Sequence, residues 1–245
     1  MREEYLSKVP EWYRSFEKFD VVLSDDIDGI VSTSALKFAK NWNVEYFYDF
    51  SKLYVSGKTY FKENKSATRV WADVAITRRE MTFDNHISRK NLGDKLNDLC
   101  INPNVITNVT NENYYDKYCG SSALLIWSLY NIPLPETELG KMLLLAIDTT
   151  FKGFYGYNNF KERNRFYLCD VLGFEELYEV EKRHSREEFY DLIIKYNLGA
   201  KTTIDKDGYL HTDLDLDFIG KELGIELSIP TDKCFIEWRE LEEHK

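Results

Sequence analysis

Short apolar runs alternate with segments of helical periodicity over the first 150 or so residues of this chain. The runs are rich in β-branched and aromatic residues and predict strands at 21–23, 44–48, 69–76 and 81–83. Apolar residues spaced every three or four positions predict helices at 30–39, 92–99, 114–130 and 136–149. The polar stretch 51–68 predicts a loop. Since strands and helices alternate, we expect an α/β fold with a mainly parallel sheet flanked by helices.

The pattern changes after residue 152. A stretch rich in Gly, Asn and aromatic residues, 153–164, predicts a connector. Further helices are predicted at 174–182, 186–196 and 213–223, with a β-hairpin at 202–210. We therefore predict two domains, 1–152 and 153–245, of which the second is a small α+β C-terminal domain or cap.

The chain is acidic, with 42 Asp and Glu residues against 32 Lys and Arg and a formal net charge of −10. Proteins that hold long duplex DNA usually present basic surfaces, so we expect no such partner. A short phosphorylated substrate stays compatible, because a bound cation reverses the local field. The four cysteines are scattered without a CxxC pair, and no signal-peptide core or membrane-length apolar run occurs. These features predict a cytoplasmic protein without a membrane partner.

Acidic side chains follow four of the apolar segments. They are Asp25, Asp26 and Asp28 after the first strand, Asp73, Asp84 with His86 close behind, and Asp148. Acids at the ends of several buried elements can converge, because the carboxyl ends of parallel strands share one edge of a sheet. Two such charges about 5 Å apart repel by roughly 3 kcal/mol at an effective dielectric near 20, and a cation removes that cost. The first acidic stretch taken alone fits an N-capped solvated turn equally well.

The order and spacing of these acids resemble the DHH phosphoesterase superfamily, which includes single-strand exonucleases, oligonucleotide-degrading and cyclic-dinucleotide phosphodiesterases, and family II pyrophosphatases. The resemblance covers roughly residues 19–152. Its four motifs are matched by Ser24-Asp25-Asp26-Ile27-Asp28-Gly29, Asp73, Asp84-Asn85-His86 and Asp148-Thr149. What the resemblance implies is a phosphoesterase fold with a site for two metal ions, usually Mn²⁺.

The resemblance also implies a role for each matched residue. Asp73 would bridge both ions and, with His86, is a predicted catalytic residue. Asp26 would hold the first ion, and Asp28 and Asp148 the second. His86 would contact the scissile phosphate or the leaving oxygen, while a water molecule between the ions attacks phosphorus.

The chain departs from the family pattern at two ligand positions. Ser24 stands where the family usually has a histidine or an acid, and Asn85 stands where it has a metal-binding histidine. Asn85 can still offer its carbonyl oxygen, and Asp25 is close enough in sequence to fill the first gap. Such an all-oxygen site favours hard ions such as Mg²⁺. It is also compatible with weak binding, a single ion or an inactive site.

Substrate contacts are predicted from residues near the motifs, because the tail lacks the family's Gly-Gly-Gly-His loop. Arg78, Arg79 and Arg89 carry guanidinium groups that match phosphate oxygens in pairs. Ser121 and Ser122 could present N–H groups at a helix start, which bind anions. The alternatives are ordinary solvated charges for the arginines and small-residue packing for the serines. The expected substrate is a phosphodiester in a short oligonucleotide or a nucleotide-sized molecule.

Two other functions are compatible with the sequence. Asp26-Ile27-Asp28-Gly29 also resembles the nucleophile turn of haloacid-dehalogenase-like phosphatases, in which Asp26 would attack phosphate. That family places an extended loop after the turn, where this chain predicts a helix. The third hypothesis is a catalytically decayed protein that binds nucleotide or phosphate, or serves as an interaction scaffold. The loss of both ligand histidines favours it, and the retained aspartates oppose it.

Overall fold

A computed structural model of the protein describes residues 1–61, 68–157 and 159–238. Its strands are β1 (Asp20–Ser24), β2 (Asn43–Tyr48), β3 (Leu53–Ser56), β4 (Arg69–Ala72), β5 (Met81–Phe83), β6 (Cys100–Ile101), β7 (Thr202–Ile204), β8 (Leu210–Thr212) and β9 (Phe235–Glu237). Within the described residues, seven of these form one sheet and β7 and β8 form a separate hairpin. The predicted α/β fold with a mainly parallel sheet flanked by helices is confirmed.

The seven-stranded sheet has the order β6-β5-β4-β1-β2-β3-β9. The strands from β6 to β2 are all parallel, whereas β3 pairs antiparallel with both β2 and β9. After β1 the chain continues to β2 on one side, and after β4 it continues to β5 on the other. The edge between the carboxyl ends of β1 and β4 is therefore a topological switch point, where ligands of open α/β sheets bind.

The α-helices of the described part are α1 (Glu3–Leu6), α2 (Ile27–Lys40), α3 (Gly57–Tyr60), α4 (Pro103–Ile106), α5 (Ser122–Leu129), α6 (Glu138–Ala146), α7 (Phe160–Arg165), α8 (Glu175–Arg183), α9 (Arg186–Lys195) and α10 (Leu216–Leu223). Three 3₁₀-helices lie at Glu11–Arg14, Asn111–Asp116 and Ile147–Gly153, and a π-helix spans Phe166–Val171. None of the helices described is long and apolar enough to span a membrane.

Strand side chains alternate between two apolar clusters, because successive residues of a strand point to opposite faces. Val21 and Leu23 of β1 belong to the larger cluster, which α2, α5 and α6 also line. Val22 and Trp71 belong to a smaller cluster on the opposite face, with Trp238 from the end of the described chain. The larger cluster fixes α2 and α5 against the sheet. Both helices begin at the edge of the sheet where the parallel strands have their carboxyl ends.

Three predictions for the middle of the chain are wrong. The strand predicted at 69–76 ends at Ala72 as β4, because Asp73 takes a left-handed conformation. The stretch predicted as loop at 51–68 contains β3 and α3, while 62–67 lies outside the described residues. The predicted helix at 92–99 is a series of turns. There the Asp94 carboxylate accepts hydrogen bonds from the N–H groups of Lys90 and Asn91. Short polar side chains of this kind compete with helical backbone bonds, and the apolar spacing alone did not reveal them.

Two predicted helices are shorter than expected. Of the segment predicted at 114–130, residues 114–116 belong to the 3₁₀-helix Asn111–Asp116, and the α-helix α5 begins only at Ser122, where Ser121 caps it. The segment predicted at 136–149 ends as α6 at Ala146. Asp148 and Thr149 then take the left-handed conformation, with φ of 48° and 55°. That conformation is costly for residues other than glycine, and it places Asp148 in a tight turn.

Helices α8, α9 and α10 and the β7–β8 hairpin are at the predicted places, but α7 begins within the segment 153–164 that was predicted as a connector. They pack into the same apolar cluster as the first half of the chain, which holds Leu124, Leu177 and Ile219 together. The last strand, β9, extends the main sheet at β3. The division at residue 153 and the separate cap stay predictions. All four cysteines are free thiols.

Candidate active site

The turn between β1 and α2 carries the first acids at the switch point. Asp26 caps α2, since its carboxylate accepts the N–H of Gly29 at 3.1 Å. Helix α2 approaches β1 so closely here that a Cβ on Gly29 would lie 2.1 Å from Ser24 Oγ. Glycine is therefore needed at this position, and its absence of a side chain lets Asp28 enter the interior on the first turn of the helix.

Asp28 is buried against the N-terminus of α5. Its Oδ2 accepts the backbone N–H of Ser122 at 2.7 Å, and its Oδ1 accepts that of Ala123 at 2.8 Å. The hydroxyl of Ser32 donates to Oδ1 as well, at 3.2 Å. Free N–H groups and the helix dipole favour an anion at this end of a helix. The anion that α5 holds is thus a carboxylate of the chain itself.

Asp73 directly follows β4 and takes a left-handed backbone conformation, with φ of 60°. Its N–H donates to the carbonyl of Phe83 at 3.0 Å, which fixes the turn against the end of β5. The carboxylate is buried, and its Oδ1 accepts the hydroxyl of Ser122 at 3.0 Å. Ser122 therefore contacts both Asp28 and Asp73 and holds them beside one another.

The loop after β5 is held by a network of side-chain amides. Asp84 is fully buried, and its Oδ1 contacts His86 Nδ1 at 2.8 Å while its Oδ2 accepts from Asn102 at 2.9 Å. Asn104 donates to the carbonyl of Asn85 at 2.7 Å. Asp84 thereby orients the His86 ring through Nδ1. The Nε2 atom, on the exposed side of the ring, remains available to a ligand.

Asp148 meets the same loop from the turn after α6. Its Oδ2 accepts from Asn85 Nδ2 at 2.7 Å, and the same amide donates to the carbonyl of Gly120 at 3.1 Å. Because Asn85 Nδ2 faces two oxygens, Oδ1 is the atom that points elsewhere. That oxygen is buried and has no hydrogen-bond partner among the described residues. The left-handed turn at Asp148 thus brings the fourth acid to the loop of the third motif.

Asp26, Asp28, Asp73 and Asp148, here called the carboxylate cluster, share one electrostatic environment. Burial, followed by the charges of Asp148 and Asp26, raises the pKa of Asp28 to about 7. Burial also raises the pKa of Asp73 well above its usual value, with Asp28 as the strongest neighbouring charge. The pKa of Asp148 is raised by desolvation and by Asp26. Mutual repulsion in a dry setting has this effect, and a bound cation opposes it.

Each acid of the cluster accepts a hydrogen bond from a protein donor. The carboxylate oxygens of the four acids point toward these donors and do not converge on a common point. Across residues 1–61, 68–157 and 159–238, no three His, Cys, Asp or Glu side chains are arranged to hold a metal ion. Five buried side-chain oxygens lack a hydrogen-bond partner in the described chain, and two of them, Ser24 Oγ and Asn85 Oδ1, belong to the motifs that carry the acids. Buried polar atoms are usually hydrogen-bonded, so an unpartnered oxygen at this place fits a group that takes part in binding a ligand. By the resemblance, Ser24 stands where a histidine or an acid is usual, and Asn85 stands where a metal-binding histidine is usual.

A lysine from the C-terminal half contacts the first acids. Lys201 Nζ lies 2.8 Å from Asp25 Oδ1 and 3.5 Å from Asp26 Oδ2. The N–H of Thr202 donates to the carbonyl of Asp25 at 2.6 Å, so the backbone here is tied to the same turn. Although burial opposes it, the bond to Asp25 and the charge of Asp26 raise the pKa of Lys201. Asp25 therefore pairs with an ammonium group instead of filling a ligand gap.

The predicted substrate contacts are not brought together. Arg78 pairs with Glu80 at 2.6 Å and Arg79 with Asp98 at 3.0 Å. Arg89 is buried and donates to Asn108 Oδ1 at 2.9 Å, where it supports a loop.

The serines predicted to bind substrate are also engaged within the protein. Ser121 Oγ accepts the N–H of Leu124 at 3.1 Å, and the Ser121 N–H donates to Thr150. Ser122 is committed to Asp28 and Asp73. The anion-binding potential inferred for this helix start is real, but an internal carboxylate uses it.

Two cavities adjoin the cluster and share Asp148 and Thr149. The smaller, of about 210 Å³, is lined by Asp26, Asp28 and Lys201. The larger, of about 780 Å³, is lined by Asn85 and His86 and by a group of tyrosines and cations. A cavity of this size can enclose a small organic ligand. Asp148 and Thr149 thus stand at the border between the acids and a ligand-sized space.

Sequence reasoning missed Lys201 and the lining of the larger cavity. Lys201 lies 175 residues from Asp26 in the chain, and no local pattern distinguishes it from other exposed lysines. The apolar spacing predicted a helix over the tyrosines at 114 and 115, although Gly120 nearby is typical of a loop. Only the packing of the C-terminal helices against the first half brings these residues to the site.

No protein family, no curated protein and no solved structure matches this chain.

Proposed function

We propose that the protein is a divalent-metal-dependent phosphoesterase that hydrolyses a phosphodiester in a short oligonucleotide or nucleotide-sized substrate. One observation carries this proposal: the buried carboxylates of Asp28 and Asp73 both accept hydrogen bonds from Ser122, and the charges of Asp26 and Asp148 act on them. No Lys, Arg or His of the described chain forms an ion pair with Asp28, Asp73 or Asp148. Burying several neighbouring carboxylates without a paired cation is costly even where they accept hydrogen bonds, and a bound cation offsets that cost. The similarity in motif order to DHH phosphoesterases supports the same conclusion.

The donor set suits a hard divalent cation. Asp26, Asp28, Asp73 and Asp148 would hold it, with the unpartnered carbonyl oxygen of Asn85 as a further ligand. Oxygen ligands of this kind favour Mg²⁺ or Mn²⁺, and two ions remain the prediction. Bound ions would activate water and neutralise charge on the phosphoryl oxygens. To do so, the carboxylates must turn from their present donors toward a common centre, and the Asn85 amide must turn over so that Oδ1 replaces the Nδ2 group that now faces Asp148.

His86 is suited to assist the leaving group. Its hydrogen bond to Asp84 raises the pKa of the imidazole and so favours the protonated ring. Asp84 also fixes Nδ1, which leaves Nε2–H to donate a proton to a departing oxygen in the larger cavity. The buried partner Asn102 holds Asp84 in turn, so the orientation of the ring is supported from the interior.

Hydrolysis assays would test the proposal. Purified protein would be assayed against short RNA, short DNA, cyclic dinucleotides and pyrophosphate, each with Mg²⁺ and with Mn²⁺. We expect at least one phosphodiester to be cleaved only with metal, and Asp73→Asn to abolish that cleavage. Asparagine tolerates the positive φ at this position, so the variant should fold. The matched control is Asp98→Asn, an exposed acid paired with Arg79. Wild-type turnover in Asp73→Asn would overturn the assignment.

A non-catalytic binding function is the second candidate, and the ion pair of Lys201 with Asp25 and Asp26 favours it. The ammonium group already neutralises the acids that would hold the first ion. In that case a nucleotide or phosphate would bind without being cleaved. Absence of turnover on all substrates, together with metal-independent nucleotide binding, would support this function. The haloacid-dehalogenase-like mechanism gains no support, because α2 starts at Ile27 without an extended loop.

A further inference from the structure

The larger cavity beside His86 and Asp148 has exposed tyrosines at its rim. Of the four tyrosines that are more than a third exposed in the described chain, Tyr114, Tyr115 and Tyr157 line this cavity. Tyr157 is 84% exposed and Tyr115 is 57% exposed. Tyr115 packs edge-on against Phe160 and Tyr114, with ring centroids 5.7 and 6.0 Å away, and still leaves 57% of its surface exposed. Exposed aromatic rings gathered at a cavity mark a binding surface more often than a fold requirement.

The same cavity is lined by three cations that form no ion pair in the described chain, although the charge of Lys117 opposes the rise in the pKa of Asp148. Lys117, Lys152 and Arg186 form no ion pair with a carboxylate among residues 1–61, 68–157 and 159–238. Lys117 lies over the ring of Tyr114 at 5.0 Å, and Arg186 lies over that of Tyr190 at 5.4 Å. The protein as a whole carries a net charge of −10, whereas this cavity gathers three cations that form no ion pair. This local positive charge suits an anionic ligand.

We propose that this tyrosine cavity binds the base and flanking phosphate of a single-stranded oligonucleotide, next to the scissile bond. Alternating aromatic rings and cations characterise binding of single strands without base-specific hydrogen bonds, since every base has a face that can stack. Asp148, a member of the carboxylate cluster, and Thr149 line both this cavity and the smaller one beside the other acids. A nucleotide stacked in the tyrosine cavity would therefore present its phosphate to the acids. The inference rests on the proposed function and narrows its substrate to one that carries a base, which excludes pyrophosphate.

Tyr157 and Tyr115 are the residues on which the selection for a base would depend. Tyr157 is nearly free of protein contacts, so its removal should not disturb the fold. Replacement of a stacking ring by alanine weakens single-strand binding by about 5- to 100-fold. Phenylalanine keeps the stacking face and should keep the affinity. Tyr209, in the β7–β8 hairpin and 40% exposed, offers a matched control away from the cavity.

The test measures binding without catalysis. Fluorescence anisotropy would follow a 3′-labelled ten-nucleotide single-stranded DNA, and the same backbone without bases, in EDTA and low salt. We expect wild-type protein, Tyr157→Phe and Tyr209→Ala to bind the base-bearing strand at least 5-fold more tightly than the abasic strand. Tyr157→Ala and Tyr115→Ala should lose that difference. Lys152→Gln should lower the slope of log affinity against log salt by about 0.7.

The outcomes separate this inference from the proposed function. Equal affinity of wild-type protein for the two strands, including binding of neither, overturns the inference. So does a Tyr157→Ala variant that keeps the preference for bases. Metal-dependent cleavage of any phosphodiester would leave the phosphoesterase proposal standing in either case. Conversely, base-dependent binding without hydrolysis would support the cavity and contradict catalysis.

Discussion

Asp28 and Asp73 are joined through Ser122, whose backbone N–H donates to Asp28 at 2.7 Å while its hydroxyl donates to Asp73 at 3.0 Å. The two acids come from α2 and from the end of β4, 45 positions apart in the printed sequence. One residue at the start of α5 thus sets the spacing of two acids that we propose as metal ligands. The contact also explains why a serine is useful at the first position of this helix.

Ser122→Ala should weaken metal binding more than it weakens the fold. The variant keeps the N–H bond to Asp28 and loses only the hydroxyl bond to Asp73. Loss of a residue that orients a metal ligand typically lowers metal affinity or activity by about 10- to 100-fold. Mn²⁺ titration by calorimetry measures this. The control is Ser128→Ala on the same helix, whose buried hydroxyl donates to the carbonyl of Leu172. Equal Mn²⁺ affinities for both variants would contradict the role of Ser122.

His86→Gln should slow the cleavage of substrates with poor leaving groups. A proton donor contributes about 10²- to 10⁴-fold where the departing alkoxide is basic, and little where it is a stable nitrophenolate. We therefore expect a large loss on a dinucleotide and a small loss on a nitrophenyl phosphodiester. His211→Gln is the matched control, because His211 also pairs with an aspartate, Asp205, but in the hairpin. An equal loss on both substrates would assign His86 to phosphate binding alone.

Lys201→Gln should strengthen binding of a divalent cation. The ammonium group contacts Asp25 and Asp26 and opposes a second positive charge there. One unit charge about 6 Å from a divalent ion is worth roughly 1.4 kcal/mol at water-like screening, which corresponds to about tenfold in affinity. The control is Lys195→Gln, at the end of α9, whose ammonium group lies over Tyr196. Weaker Mn²⁺ binding in Lys201→Gln would show that the lysine supports the site instead of competing for it.

The sequence predicted the acids of the site better than their surroundings. Asp26, Asp28 and Asp73 lie in one electrostatic cluster because the parallel strands β1 and β4 end at the same edge of the sheet, a rule that needs no long-range information. Asp148 joins them from the turn after α6, so the strand rule does not account for it. The arginines could not be assigned in the same way. Arg78 and Arg79 have acidic neighbours in space, Glu80 and Asp98, that compete for them.

The turn at Asp148 could not be predicted from the spacing of apolar residues. The apolar spacing of α6 continues to Ile147, so the pattern predicted a helix through Thr149. The chain instead turns through two left-handed residues, which the bond between Asp148 and Asn85 helps to hold. Such conformations occur where surrounding contacts over-determine the backbone, often at functional sites. Lys201 and the tyrosine cavity likewise depend on how the C-terminal helices pack.

Glu181→Gln should stabilise the protein at neutral pH. Glu181 is fully buried, accepts a bond from Asn164 and has an Oε1 without a partner in the described chain. Burial raises its pKa well above the ordinary value. The folded state therefore favours the neutral acid, and stability falls as pH rises from the unfolded pKa near 4.3 toward the raised folded pKa.

Urea unfolding at several pH values from 5 to 8 measures this effect. The wild-type slope should contain a contribution of up to about 1.4 kcal/mol per pH unit from Glu181, and the glutamine variant should lack it. Glu179→Gln, on the same helix and exposed in a pair with Lys182, should leave the slope unchanged. An unchanged slope in Glu181→Gln would mean that the carboxyl group is ionised in the folded protein.

The most direct measurement is a calorimetric titration of the protein with Mn²⁺ and Mg²⁺ after treatment with EDTA, beside Asp73→Asn and the exposed-acid control Asp98→Asn. If the carboxylate cluster holds divalent ions, wild-type protein and Asp98→Asn bind them saturably, and Asp73→Asn does not. Heats in the wild-type protein that equal those of dilution, or equal binding in all three proteins, would contradict a metal site at these aspartates.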